Sequence, residues 1–304
     1  LQEMKADCAI SVGGGSTIDA GKGVMLLAAT GGEFAPYVID YGGKGSMDRA
    51  PMPPSPIAHI AVPTTAGSAS DVMPTAGIRD PAAKKKLLFW DERLVPEATV
   101  LDPELAVYAS PTLTAATGMT AVARAIESLY SKHRHPISAG LALHAARLLR
   151  TALPRSVEAP GDLEARADCM MAALMSGTAS INAMVSVVHA IGHVVGGRYG
   201  LQHGISHGIL LAPALRLLLP AIGAEKSNVL EALGCAPGGT PQDAAHAMEA
   251  LLRRLPLPKR LGEVGVTAAD LPGIAAATMG DYMMANVPMP VTAGDIEALL
   301  RAAL

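Results

Sequence analysis

Ala9 to Leu27 reads AISVGGGSTIDAGKGVMLL. Ala9–Val12 is a short apolar strand that runs without a spacer into Gly13-Gly14-Gly15-Ser16. From Thr17 onward the apolar residues recur at the helical period, through Val24, Leu26 and Leu27. Strand, glycine turn and helix N-terminus in that order set free backbone N–H groups, and the positive end of a helix dipole, against a phosphate. The turn is not GxGxxG, and a tight βα connection is the plainer use of the same residues.

The next apolar strand, Ile57–Val62, ends in Pro63-Thr64-Thr65-Ala66-Gly67-Ser68-Ala69-Ser70-Asp71. Small hydroxyl residues at the carboxyl end of a strand stand where an open α/β sheet binds ligands, and they suit a phosphate, a ribose or an amide. A hydroxyl turn that merely caps the next segment uses the same residues. Residues 31–56 are rich in Gly and Pro and read as loop. Ala76–Pro81 with Lys86–Trp90 reads as a hairpin, and Ala98–Leu101 as a last strand. From about Ser110 every long segment has helical period: Leu113–Tyr130, Pro136–Leu153, Asp162–Gly196, Gly208–Ala221, Pro241–Arg254, Asp270–Ala275 and Ala293–Leu304. The fold expected is therefore an α/β dinucleotide-binding domain over residues 1–108, beginning mid-fold, followed by an all-helical domain over 109–304.

Composition narrows the function. Half of the 304 residues are hydrophobic, 17% are charged and 3% aromatic, so the cores must be filled by Ala, Leu, Val and Met. A net charge of −3 and the scarcity of aromatics leave no nucleic-acid surface. The longest apolar run, Met170–Val195, carries Ser176, Thr178, Ser180, Asn182, Ser186 and two histidines, which reads as a buried helix and not a membrane span. Cys8, Cys169 and Cys235 are odd in number and widely spaced, as reduced residues of a cytoplasmic protein are.

The densest chemistry lies in His189–Gly208, HAIGHVVGGRYGLQHGISHG. His189 and His193 are four apart and share a helix face; His203 and His207 repeat the spacing after a Gly-Gly break. Four imidazoles so placed suit a metal site, a proton relay or both. Buried histidines bonded to backbone carbonyls are the alternative.

Taken in order, GGGSTIDAGK, PTTAGSASDV, VLDPELAVYASPTLTAATGM, HAIGHVVGGRYGLQHGISHG and the closing NVPMPVTAGDIEALL resemble the iron-containing alcohol dehydrogenase superfamily over the whole chain. The resemblance implies an N-terminal dinucleotide-binding domain, a helical C-terminal domain and hydride transfer between them, with NAD or NADP as cofactor. It implies that Gly14, Gly15, Ser16 and Asp19 hold the pyrophosphate and nicotinamide side. Thr64, Thr65 and Ser68 would line the ribose and carboxamide, with Lys86 and Leu105 as further cofactor contacts. Family metal ligands are an Asp and a His four apart on one helix plus two histidines that match His189 and His203. His193 matches a histidine near the nicotinamide, a proton-relay position.

The chain departs from that pattern where the metal would be held. Gly118-Met119-Thr120-Ala121-Val122-Ala123-Arg124-Ala125-Ile126-Glu127 has Thr120 at the aspartate position and Arg124 at the histidine position. Two neutral imidazoles make a poor site for a divalent ion, and a guanidinium that keeps its proton stands where the cation belonged. No catalytic metal is expected. The segment GHVVGGRYGL is similar to the metal-independent maleylacetate reductase branch. The expected enzyme is a cytoplasmic homodimer that moves hydride between NAD(P) and a small, carboxylated carbonyl or enone. Arg124 would hold the anion or the developing oxyanion, and His193, with His189 or His203 behind it, would supply the proton. A salt bridge from Arg124 to Glu127 across one turn is the structural use of the same arginine. Two other readings stand: a metal-dependent alcohol dehydrogenase with a replacement ligand such as His207 or a Thr120-held water, and an inactive superfamily member serving as a binding subunit.

Overall fold

The computed structural model describes residues 3–39, 50–55, 57–80 and 85–304, with the backbone alone at 79, 80, 85 and 86. The N-terminal part contains β1 (Cys8–Gly13), α1 (Gly15–Thr30), β2 (Ala58–Pro63), β3 (Thr75–Asp80), β4 (Lys85–Trp90) and the two-residue β5 (Ala98–Thr99). β2 lies between β1 and β5, and both pairings are parallel; Cys8 stands opposite Ala58 and Gly13 opposite Pro63. β3 and β4 form the antiparallel hairpin that their sequence predicts. α1 packs so closely on the sheet that a Cβ on Gly21 would sit 2.0 Å from Ser11 Oγ, which explains a glycine in mid-helix. Ser11 Oγ in turn bonds His59 Nε2 at 2.8 Å beneath the helix. Ile10 and Val12, alternate to Ser11 along β1, are exposed. A second small core, built on Leu26, Met52, Ala76, Phe89 and Leu94, joins α1 to the hairpin.

Strands end at Thr99, and the rest is helical: α2 (Pro103–Ala106), α3 (Pro111–Tyr130), α4 (Pro136–Glu158), α5 (Leu163–Ala183), α6 (Val187–Tyr199), α7 (His203–Leu218), α8 (Lys226–Ala232), α9 (Pro241–Arg253), α10 (Leu271–Met279) and α11 (Ala293–Ala303). A parallel sheet flanked by a helix and followed by a mostly helical domain is the expected class. Helix starts are set by short polar side chains. Ser110 Oγ accepts from Leu113 N–H, Asp162 from Ala165 N–H, and Thr240 with Asp243 and Thr292 with Asp295 close reciprocal capping boxes. The core of this domain is Ala, Leu, Val and Ile with Tyr130 fully buried among them, as the composition requires. All three cysteines are free. Residues 203–221 have the length and apolarity of a membrane span, but most of that stretch is buried against neighbouring helices, as a core helix is.

One sequence expectation is corrected. Asp162–Gly196 is not a single helix but α5 and α6, bent by 107° at residues 184–186. Met184 has φ 62° and ψ 163°, a conformation almost confined to glycine. Its neighbours hold the corner. Ser131 Oγ donates to Ala183 O at 2.5 Å, and Asn286 Nδ2 donates to Val185 O at 2.9 Å. Helical period persists through the corner because Ala183, Met184 and Val185 are apolar, the first and last of them buried and Met184 half-buried. α7 also begins earlier than expected, at His203, so the second histidine pair lies on its first turn and a half.

Candidate active site

No side chain caps α1, and its first turn carries no acid. Thr17 and Ile18 direct their N–H groups to Gly14 O, at 2.9 and 3.2 Å. The N–H groups of Gly15 and Ser16 thus remain at the positive end of the helix. The loop after β2 lies against them. A Cβ on Gly15 would come within 2.4 Å of Ser68 Cβ, one on Gly14 within 3.4 Å of Thr65 Oγ1, and Thr64 N–H donates to Gly13 O at 2.9 Å. Gly14, Gly15, Ser16, Thr64, Thr65 and Ser68 therefore form one patch at the carboxyl ends of two parallel strands. A cradle that a single Cβ would fill, rimmed by hydroxyls and free amides, fits a dinucleotide. Asp19 does a different job: Oδ2 accepts from Gly77 N–H at 3.0 Å, tying α1 to β3, while Oδ1 is buried without a partner. The side chain of Lys86 lies outside the described residues. Leu105 is on α2, which packs on α5, and is not joined to the patch by these contacts.

The same loop is gripped by the helical domain. A Cβ on Gly67 would sit 2.0 Å from Thr117 O of α3, and one on Gly177 of α5 would sit 2.4 Å from Ala69 Cβ. Between these contacts Arg124 reaches from α3, its Nη2 donating to Ser68 O at 2.9 Å and its Nη1 to Ser176 Oγ at 3.4 Å. The side chain is almost sealed from water. Burial lowers its pKa to about 10, so it remains a cation at neutral pH. Among the described residues no carboxylate closes an ion pair with it. The buried Asp71, whose pKa burial raises, attracts it at longer range and also attracts Lys22. The one-turn salt bridge to Glu127 does not form, because that carboxylate is engaged elsewhere.

Glu127 is fully buried. Its Oε2 meets Nδ1 of His189 in a short contact, and its Oε1 accepts from Val188 N–H at 2.7 Å and from Tyr130 Oη at 3.2 Å. Since Ser186 gives α6 no side-chain cap, the carboxylate of α3 caps α6 from across the core. Burial pushes the Glu127 carboxyl up to about 7 against these donors. Burial, and after it Arg124, hold His189 well below the ordinary imidazole range.

The remaining histidines extend outward from His189. His207 lies with its ring centroid 4.1 Å from that of His189, fully buried, with neither ring nitrogen partnered. His203 stacks on His207 at 5.8 Å and meets the edge of His193 at 5.8 Å. His193 Nδ1 bonds Asp281 Oδ2 at 2.9 Å, and its ring stacks at 6.0 Å on Tyr282. A line of titratable groups thus leads from a sealed carboxylate to a half-buried imidazole. α7 is pressed onto α3 at this point: a Cβ on Gly204 would sit 1.6 Å from Ala116 O and 2.9 Å from Thr120 Oγ1. The structure brings His189, His193 and His203 into one cluster through His207, with Arg124 near enough to disfavour a charge on His189. Glu127 and Asp281 were legible only as unremarkable acids, since their partners are 62 and 88 residues away. The one hint at Glu127 is a lone carboxylate inside an apolar helical run.

The donor set does not fit a divalent metal. Thr120 turns its hydroxyl to Ala116 O of its own helix at 3.3 Å and Arg124 is a cation, so that helix turn offers no anionic or imidazole ligand beside the histidines. Among the described residues no three His, Cys, Asp or Glu side chains are grouped to bind an ion.

Residues 1–103 match the family model for iron-containing alcohol dehydrogenase, and 114–304 match that for the Fe-containing alcohol dehydrogenase family, C-terminal. The chain is 33% identical over 309 residues to the NAD-dependent methanol dehydrogenase of Bacillus methanolicus, covering all of this chain and 79% of that protein. The crystal structure of a 1,3-propanediol oxidoreductase superposes with a TM-score of 0.88 at 31% identity, covering 100% of this chain and 78% of the other. That of maleylacetate reductase from Agrobacterium tumefaciens superposes with a TM-score of 0.81 at 26% identity, covering 100% and 75%.

Proposed function

Since this chain belongs to the iron-containing alcohol dehydrogenase family and is an alcohol dehydrogenase or reductase, we propose that it works without a catalytic metal. Its reaction is hydride transfer between NAD or NADP and a small carbonyl or enone compound that bears a carboxylate. The observation that carries the proposal is Arg124: a buried cation with no ion-paired carboxylate among the described residues, held beside the histidine cluster and the loop of Ser68. A charge withdrawn from water costs several kcal/mol unless it is compensated, and a substrate anion compensates it. The match to a maleylacetate reductase supports a carboxylated substrate.

Each residue then has a defined task. Gly14, Gly15, Ser16, Thr64, Thr65 and Ser68 hold the dinucleotide, and Asp19 fixes α1 against β3. The cofactor supplies a hydride acceptor in one direction and a donor in the other. Arg124 binds the substrate carboxylate, or the oxyanion that develops on its carbonyl, in a site where low polarity strengthens the attraction. His189, His193 and His203 exchange the proton, with His193 and Asp281 as the end nearest water. The enzyme acts as a cytoplasmic homodimer with neither nucleic acid nor membrane as a partner.

Arg124→Met tests the arginine. A hydrogen bond to a charged group contributes about 1.5–3 kcal/mol. The KM for carboxylated substrates should therefore rise roughly 10- to 100-fold, while KM for NAD(P) and kinetics with neutral aldehydes stay near wild type. An equal loss with acidic and neutral substrates contradicts the clamp.

A further inference from the structure

The geometry points to Glu127 as a positioning residue that fixes the tautomer of His189, with Nδ1 protonated toward the carboxylate and Nε2 left as a lone pair on the side of the histidine cluster. Every group around the carboxylate is a donor: Val188 N–H and Tyr130 Oη–H meet Oε1, and both are fully buried. Above pH 7, where the buried carboxyl of Glu127 is ionised, it accepts only, so the ring nitrogen at Oε2 has to donate. The proton is thereby held at Nδ1, and the ring is held by a residue that is rigid in its own right, on α3 in the middle of the core.

The consequence rests on the dehydrogenase reading. During oxidation the substrate O–H bond breaks as the C=O bond forms, and the hydride leaves with its electron pair for the oxidised nicotinamide. The proton forms a new N–H bond at His189 Nε2. During reduction the same N–H returns the proton to the alkoxide oxygen. The other tautomer presents Nε2–H and has no lone pair with which to begin the oxidation. Glu127 touches neither substrate nor cofactor; it acts through His189, as a carboxylate orients an imidazole in other proton-transferring dyads.

Glu127→Gln separates orientation from shape. The amide is nearly isosteric but brings N–H donors. With its oxygen kept by Val188 N–H and Tyr130 Oη–H, its NH2 faces Nδ1 of His189 and demands an acceptor there. The ring must move its proton to Nε2. Ring 15N NMR of histidine-labelled protein, with His189 assigned from a His189→Asn variant, reads this directly. Recorded above pH 7, where Glu127 is ionised, the wild type should show an Nδ1–H ring with an unligated Nε2. Glu127→Gln should show Nε2–H, and kcat should fall on the order of 100-fold or more with KM for NAD(P) changed less than about twofold.

An Nε2–H ring in the wild type, or an Nδ1–H ring that persists in Glu127→Gln, overturns the assignment. An Nε2 resonance shifted by a bound metal overturns it as well. A tautomer that switches as expected in a protein that turns over no alcohol or carbonyl supports the role of Glu127 while contradicting the activity on which it was built. The wild-type spectrum decides even where the Gln variant fails to fold. Tyr130→Phe, which removes a donor from the other carboxylate oxygen only, should leave His189 in the Nδ1–H form, and a switch there also counts against the assignment.

Discussion

Arg124 is anchored by a carbonyl and a hydroxyl, not by a carboxylate, and that choice has a thermodynamic signature. Neutral donors and acceptors offset the dehydration of a guanidinium only in part, and replacing such a charge with an apolar side chain of similar volume is often neutral or stabilising. Arg124→Met should therefore melt at the same temperature as wild type or above it, even as acidic substrates bind more weakly. A fall of several degrees in calorimetry would mean that the arginine is there to hold the fold. The substitution of Thr120 and Arg124 for acid and imidazole is visible in the sequence alone, since both stand in a short helical motif. Glu127 is not legible in that way: nothing near residue 127 indicates a histidine 62 positions later. His207 is intermediate. Its spacing from His203 shows, but its burial without a partner depends on the stacking of α7 against α6.

Elements set the site by close approach of backbones. α7 can lie against α3 because residue 204 is glycine; with Ala116 O only 1.6 Å from the position of a Cβ, Gly204→Ala must push the helices apart. Overpacking of this kind costs about 1–3 kcal/mol, and a urea melt should show a lowered midpoint with little change of slope. The corner between α5 and α6 works in the opposite sense. Met184 sits where L-residues are strained, at a cost on the order of 1–3 kcal/mol, so Met184→Gly should raise stability by about 1 kcal/mol. An unchanged or lower midpoint would mean that the methionine side chain contributes more packing than its backbone loses. Strand, glycine turn and helix were legible at the N-terminus because hydrophobic period changes there within a few residues. The corner was not, because residues 183–186 contain neither Gly nor Pro and the apolar pattern continues through it.

At the scale of the whole molecule, the order of parts follows from composition: strands give out after Thr99, and Ala/Leu-rich periodic segments fill the remainder. How the two parts meet was not legible, since the contact is a loop threaded between α3 and α5 and glycines mark it only once the partners are known. The buried titratable groups make stability depend on pH in a defined way. Burial raises Glu127 from 4.5 to about 7, so the folded protein holds a proton there that the unfolded chain lacks, and this term favours folding at low pH and fades as pH rises through 7. His189 and His207, both held well below 6.5, act in the other direction: the unfolded chain takes up their protons as pH falls through 6.5, and stability is lost. Two imidazoles outweigh one carboxyl, so Tm should climb from about pH 5 to pH 6.5 and then level. Glu127→Gln should steepen the climb and His207→Phe flatten it; a Tm that falls over this range contradicts the assignment of charges. Metal-free turnover is the proposal on which the roles given to Arg124 and the histidines rest. Elemental analysis of purified, active enzyme after exhaustive dialysis against a chelator tests this most directly. The prediction is far less than one equivalent of Fe, Zn, Ni or Mn per chain, with turnover undiminished. Stoichiometric metal, or activity that disappears with the chelator and returns with the ion, would contradict it.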